Sequence, residues 1–162
     1  MPEPIESTSH APNSQRRNDM CCSLAIQRNK DAVARFFEGT HTGHLDVIDE
    51  TVAEDIVTHG FPGGNPTSRE TYKDWFRGFA ESFSNMSSEV LATVADAHRV
   101  VVHWRVSVDH TGPFAGLPAT GRRATFDGVA IYRMRNGLIA ETWLFPDTPS
   151  LLAQIGDARE AA

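Results

Sequence analysis

Residues 99–111 read RVVVHWRVSVDHT, and their apolar period is two. Val102, Trp104 and Val106 share one face of an extended chain, while His103, Arg105 and Ser107 share the other. A strand of this kind buries one side and wets the other, as strands of antiparallel sheets do. The same period continues on both sides. SSEVLATVADAH (87–98) precedes the stretch, and RRATFDGVAIYRMR (122–135) and LIAETWLF (138–145) follow it. The connections DAHR and RNG are tight, with Asn136-Gly137 a type I′ hairpin signal. The link TGPFAGLPATG is longer and carries three glycines and two prolines. Four consecutive antiparallel strands are predicted.

Upstream the period changes to that of a helix. TSRETYKDWFRGFAESF (67–83) opens with Thr67 and Glu70 at capping-box spacing. Tyr72, Trp75, Phe76, Phe79, Ala80 and Phe83 then fall on one aromatic face suited to core packing. A helix is predicted from Asn29, with Ala32, Val33, Phe36 and Phe37 on its apolar stripe and GTHTG (39–43) ending it. A short helix in LDVIDETVA (45–53) and a brief strand EDIVTHG (54–60) come next, then the turn cluster FPGGNP. After the last strand, TPSLL opens a C-terminal helix that Asp147 is placed to cap. Helices on one face of an antiparallel sheet make an α+β fold. A strongly curved sheet wrapped by the aromatic helix would form a cone around a central pocket for a small apolar ligand.

Composition narrows the function classes. The 162 residues suit one domain, placed at 26–162, and a net charge of −6 without a Lys/Arg stripe argues against nucleic acid. No apolar run approaches the roughly 18–20 residues of a membrane span. Residues 1–25 read as a disordered tail rich in Pro, Ser, Asn and charge, with Met20 an alternative start, and they lack the apolar core of a secretory signal. Cys21 and Cys22 are the only cysteines, and their adjacency disfavours a disulfide and offers no metal spacing. A reducing, cytoplasmic location is expected. His41 and His44 in HTGH lack further metal ligands, so no metal is expected, and no phosphate loop or nucleophile elbow is seen.

FFEGTHTGHLDVIDE (36–50), EDIVTHG, the run from Val100 to Gly128 and NGLIAETWLFPDTPSLLAQIG (136–156) together resemble one family. HTGPFAGLPATGRR followed by FDG is the most specific part. The chain from about Asn29 to Gly156 is similar to the SnoaL-like polyketide cyclases, or ester cyclases, which share the fold of nuclear transport factor, ketosteroid isomerase and scytalone dehydratase. The resemblance implies cofactor-free, acid/base ring closure of an aromatic polyketide by an intramolecular aldol reaction, in secondary metabolism such as antibiotic biosynthesis. Relatives with this fold hydroxylate, isomerise or dehydrate. A cofactor-free oxygenase, an isomerase and a non-catalytic binding member are therefore the alternatives. A homodimer through the outer sheet face, where His103 and Arg105 lie, is implied as well.

The family's acid/base aspartate falls at Leu144 of this chain, a histidine of the same strand at Thr142, and a Gln and a His at Ala130 and Tyr132. Thr142 and Leu144 share the pocket face, with Glu141, Trp143 and Phe145 on the other. Proton transfer is therefore expected from His59 or Tyr132. His59 ends its strand as either a pocket acid/base or a hydrogen-bonded loop histidine. Tyr132 either orients a substrate carbonyl or packs in the core with its hydroxyl at the edge. Trp104, Trp75, Phe79, Phe36, Thr142, Leu144 and His110 are the candidate substrate-binding residues. His110 is also read as a turn histidine that sets the long loop.

Overall fold

The computed structural model describes residues 13–156. Its elements are α1 (Asn13–His41), α2 (Val47–Thr51), β1 (Val52–His59), α3 (Arg69–Ser82), β2 (Phe83–Ala95), β3 (Arg99–His110), β4 (Arg123–Arg135), β5 (Leu138–Pro146) and α4 (Thr148–Gly156). The five strands form one sheet in the order β1-β5-β4-β3-β2. The chain starts at one edge with β1, crosses to the far edge through α3, and returns by the meander β2 to β5. That crossing lays α3 over one sheet face. The meander pairs are antiparallel, while β1 joins β5 in parallel. The expected α+β fold is therefore present, with one parallel pair at its edge.

Burial follows the pleat. Along β3 and β4 every second residue is buried, with Val100, Val102, Trp104, Val106 and Val108 on β3 facing inward. Register shifts between Ser84 and Ser87 and between Val90 and Ala92 place bulges in β2, and bulges bend a strand. Phe36, Ile48, Tyr72 and Ile139 are among the side chains buried between helices and sheet. Each such burial contributes about 1.5–3 kcal/mol.

Several boundaries differ from the sequence reading. The first helix starts at Asn13, not Asn29, so residues 13–25 are helical rather than part of a disordered tail. The remainder of that 1–25 tail, residues 1–12, lies outside the described residues. Residues 14–24 of this helix are exposed, so its outer turns carry no apolar stripe to signal them. The α3 cap sits one residue later than expected: Ser68 accepts from the Thr71 amide, and the Thr71 hydroxyl accepts in return from the Ser68 amide. A threonine thus does what the capping-box pattern assigns to Glu or Gln. β1 begins at Val52 and β2 at Phe83, each continuing directly from the helix before it. The other local signals agree with the structure. Asn136 and Gly137 both have positive φ, 54° and 78°, as the type I′ turn requires. Asp147 Oδ1 accepts from the Ser150 amide at 3.1 Å and caps α4.

Candidate active site

Between the inner face of the sheet and α1, α3 and α4 lies a cavity of about 310 Å³. Its walls are mainly aromatic. Phe36 packs at 6.1 Å edge-on to Phe76 and at 5.8 Å edge-on to Tyr132. Trp75 and Phe79 stack at 5.8 Å on α3, and the Trp75 indole is fixed by donating to the Pro62 carbonyl at 2.9 Å. Trp104 forms the sheet side, edge-on to Phe126 at 5.8 Å. Its indole lies over Gly128, its partner in the β3/β4 register. A Cβ on Gly128 would meet the Trp104 ring at 2.1 Å, so glycine is what lets the indole lie flat there.

The polar groups in this wall are few. Tyr132 and Thr142 are opposite each other on β4 and β5, and Tyr72 approaches them from α3. Burial pushes the Tyr72 phenol up, with a smaller opposing pull from Thr142. Burial pushes Tyr132 well above the ordinary tyrosine value, helped by its Tyr72 neighbour, so both hydroxyls keep their protons at neutral pH. Thr142 is only 1% exposed, and its Oγ1 has no well-formed hydrogen bond. An unpaired buried hydroxyl costs about 1–3 kcal/mol, which a bound oxygen or nitrogen would recover.

His41, the last residue of α1, also lines the cavity. Its Nδ1 is 2.7 Å from the Phe37 carbonyl, and its ring stacks on Phe37 at 4.1 Å. A carbonyl can only accept, so Nδ1 carries the proton. Burial holds the imidazole below its ordinary value of 6.5, and the bond to Phe37 offsets this only in part. Asp74 is the only carboxylate among the described residues of the cavity wall; it is 61% exposed and paired with Arg77 at 2.6 Å. Among the described residues no lysine or arginine lines the cavity. Among the described residues no group of three or more His, Cys, Asp or Glu side chains could hold a metal ion.

Of the candidates read from the sequence, the structure gathers Tyr132, Trp104, Trp75, Phe79, Phe36, Thr142 and Leu144 around one cavity. His59 and His110 are not in its wall, which corrects the sequence reading. β1 runs parallel to β5 with His59 opposite Trp143, which puts its side chain on the outer sheet face. There His59 Nε2 lies 2.9 Å from Glu141 Oε1, and the ring stacks on Trp143 at 5.2 Å. Glu141 also accepts from Arg133 Nε at 2.8 Å. These two partners, His59 first, hold its carboxyl below the usual range. His110 is fully buried against Phe83, and its Nδ1 reaches Thr120 Oγ1 at 3.0 Å. It braces the 111–121 loop, as its turn reading anticipated.

Sequence reasoning missed His41, Phe61 and Phe114 as cavity residues. For His41 a signal was available. Val33, Phe37 and His41 follow at intervals of four, so the helix extends its apolar stripe past Gly39. Phe61 and Phe114 sit in Gly/Pro-rich loops without periodicity, where no pattern announces a side chain's direction.

Comparison with known proteins places the chain in context. A model of the SnoaL-like polyketide cyclase family matches residues 30–155. Among solved structures, IdmH of Streptomyces antibioticus, assigned as a polyketide cyclase, is 27% identical, with 79% of this chain and 98% of that one covered at a TM-score of 0.68. TsrD of Streptomyces laurentii is 22% identical over 80% and 96% of the two chains, TM-score 0.73. AclR of Streptomyces galilaeus, assigned as a hydroxylase, is 23% identical over 81% and 97%, TM-score 0.71. No curated protein matches the sequence.

Proposed function

The chain belongs to the SnoaL-like polyketide cyclase family, and from that premise we propose that it is a cofactor-independent enzyme of secondary metabolism that closes a ring in an aromatic, polyketide-type small molecule. The observation that carries this reading is an aromatic cavity holding a few protonated hydroxyls and, among the described residues, no lysine or arginine. A flat, neutral ligand fits between Trp104 on the sheet and Trp75 and Phe79 on α3. The phenol of Tyr132 stays protonated and donates to the oxygen of an enolate as charge develops there. Thr142 Oγ1, lacking a well-formed hydrogen bond, takes up a further polar atom of the ligand. Held folded in this cavity, the substrate brings its own nucleophilic carbon to its own carbonyl, so orientation supplies much of the rate. The ring closure is an aldol addition with no net oxidation.

Incubating the protein in air with an anthraquinone carrying a β-keto methyl ester chain and, on the adjacent ring carbon, an acyl ketone arm, followed by mass spectrometry, tests the reading. A new product of unchanged mass supports it. A product one oxygen heavier replaces it with an oxygenase reading, and retention of the unchanged probe replaces it with a binding role.

We also infer a homodimer through the outer sheet face. Exposed Val57, Val94 and Phe145 lie there beside the pairs Arg105–Asp127 and Arg133–Glu141. That mixture of apolar and opposite-charge groups can meet a second copy of itself. No helix among the described residues is long and apolar enough to cross a membrane. The exposed free thiols of Cys21 and Cys22 support a cytoplasmic location.

A further inference from the structure

We propose that His41 is the base that takes the acidic carbon-bound proton from a ligand in the cavity, acting through an Nε2 kept proton-free by the bond from Nδ1 to the Phe37 carbonyl. The proposal rests on the ring-closing reading and supplies the residue that reading lacks. Leu144 is apolar, His59 is engaged by Glu141 on the other face, and Asp74 is tied to Arg77 in solvent. Tyr72, Tyr132 and Thr142 present neutral hydroxyls, suited to donating rather than to taking a proton.

Three observations converge on His41. Its ring lines the cavity. Its tautomer is fixed, because Nδ1 faces a carbonyl at 2.7 Å while Thr40 Oγ1, 3.3 Å away, already donates to the Phe36 carbonyl at 2.8 Å. Its Nε2 has no hydrogen-bonding partner among the described residues, and it is not one of the fully enclosed unpaired atoms. A ring stacked on Phe37 and edge-on to Phe76 at 6.2 Å has little freedom to turn away. The C-terminal end of a helix ordinarily favours a cation, yet burial here outweighs it and keeps the ring neutral.

The step balances without a co-reactant. A C–H bond flanked by two carbonyls breaks, its electron pair stays on the ligand as an enolate, and the proton moves to Nε2 to give an imidazolium. The enolate carbon then attacks a separate ketone on the neighbouring arm of the ligand, and the alkoxide left on that ketone takes the proton back. Burial makes the imidazolium a willing donor at this second stage.

The test is exchange of the α-proton of the anthraquinone β-keto ester in D2O, followed by NMR, with probe binding measured separately. His41→Asn keeps an N–H where Nδ1 stands, preserving the bond to Phe37, but removes Nε2. His41→Gln puts an amide near Nε2 and serves if the first variant folds poorly. The expected result is an exchange rate at least about 100-fold below wild type in both variants, with binding changed by no more than about threefold. Exchange within about threefold of wild type, with binding intact, overturns the proposal while leaving the ring-closing reading standing. Failure of the wild-type protein to bind the probe overturns the ring-closing reading, and the assignment of His41 falls with it. The two-bond 1H–15N spectrum of the free protein adds a check independent of activity: a protonated Nε2 at neutral pH contradicts the proposal.

Discussion

Thr142 and Glu141 are neighbours on β5, yet the two faces of the sheet treat them oppositely. Glu141 points outward, where His59 and Arg133 both reach it. Thr142 points inward, buried beside the Tyr72 hydroxyl but without a well-formed hydrogen bond. The outer face is an ionic lattice whose charges satisfy one another. The inner face is aromatic, nearly free of charge, and leaves polar groups unsatisfied. A self-satisfied network has little left to offer a ligand, whereas a buried hydroxyl without a well-formed hydrogen bond has much to gain from one. On the proposed ring-closing reading, chemistry belongs to the inner face.

The sharpest way to break this contrast is a matched pair of substitutions. Tyr132→Phe should lower turnover of the β-keto ester probe by about 100- to 1,000-fold, the effect of removing one preorganised donor. His59→Ala, on the other face, should leave turnover within about threefold of wild type, because no substrate-facing group is lost. Equal losses in both variants would erase the distinction between the faces. Steady-state rates with each purified variant give the comparison.

Next in size is Gly128→Ala. The added methyl collides with the Trp104 ring, so the indole must leave its place over β4. Overpacking of this kind costs about 1–3 kcal/mol and should narrow the cavity, seen as a lower melting temperature and weaker probe binding. Thr142→Val should act in opposite senses on stability and binding. Removing a buried hydroxyl that lacks a well-formed hydrogen bond should raise the stability of the free protein by about 1 kcal/mol in urea unfolding. The same change should weaken probe binding about tenfold, since that hydroxyl is kept for the ligand.

The smallest effect concerns the outer lattice and pH. The folded Glu141 carboxyl is held below its ordinary value of 4.5. As pH falls, the unfolded chain therefore binds this proton before the folded one does. The stabilisation from charged Glu141 is complete above 4.5 and is lost as pH falls through the folded value. Glu141→Gln should flatten that acid limb in unfolding curves while leaving turnover at neutral pH unchanged.

How far these faces were legible in the sequence depends on periodicity. The alternation of RVVVHWRVSVDHT placed Trp104 inward and His103 and Arg105 outward, and β5 was divided correctly between Thr142 and Glu141. The aromatic stripe of α3 likewise announced Trp75 and Phe79. Local patterns fail where orientation is set by distant pairing. His59 ends a strand beside a pocket in the linear reading, but its parallel register with β5 turns it outward. A single strand of eight residues cannot reveal which edge it joins. His41 was lost for a different reason: GTHTG resembles a helix stop, while the packing of Phe37 and Phe76 carries the helix two residues past Gly39.

The chain's three tryptophans allow the central claim to be tested in one titration. Trp75 and Trp104 line the inner cavity, and Trp143 stacks on His59 outside it. Adding 1,8-dihydroxyanthraquinone while recording the indole N–H signals by 1H–15N NMR should shift those of Trp75 and Trp104 and leave that of Trp143 in place. A shift confined to Trp143, with the two inner signals unmoved, would contradict the assignment of the inner cavity as the functional site.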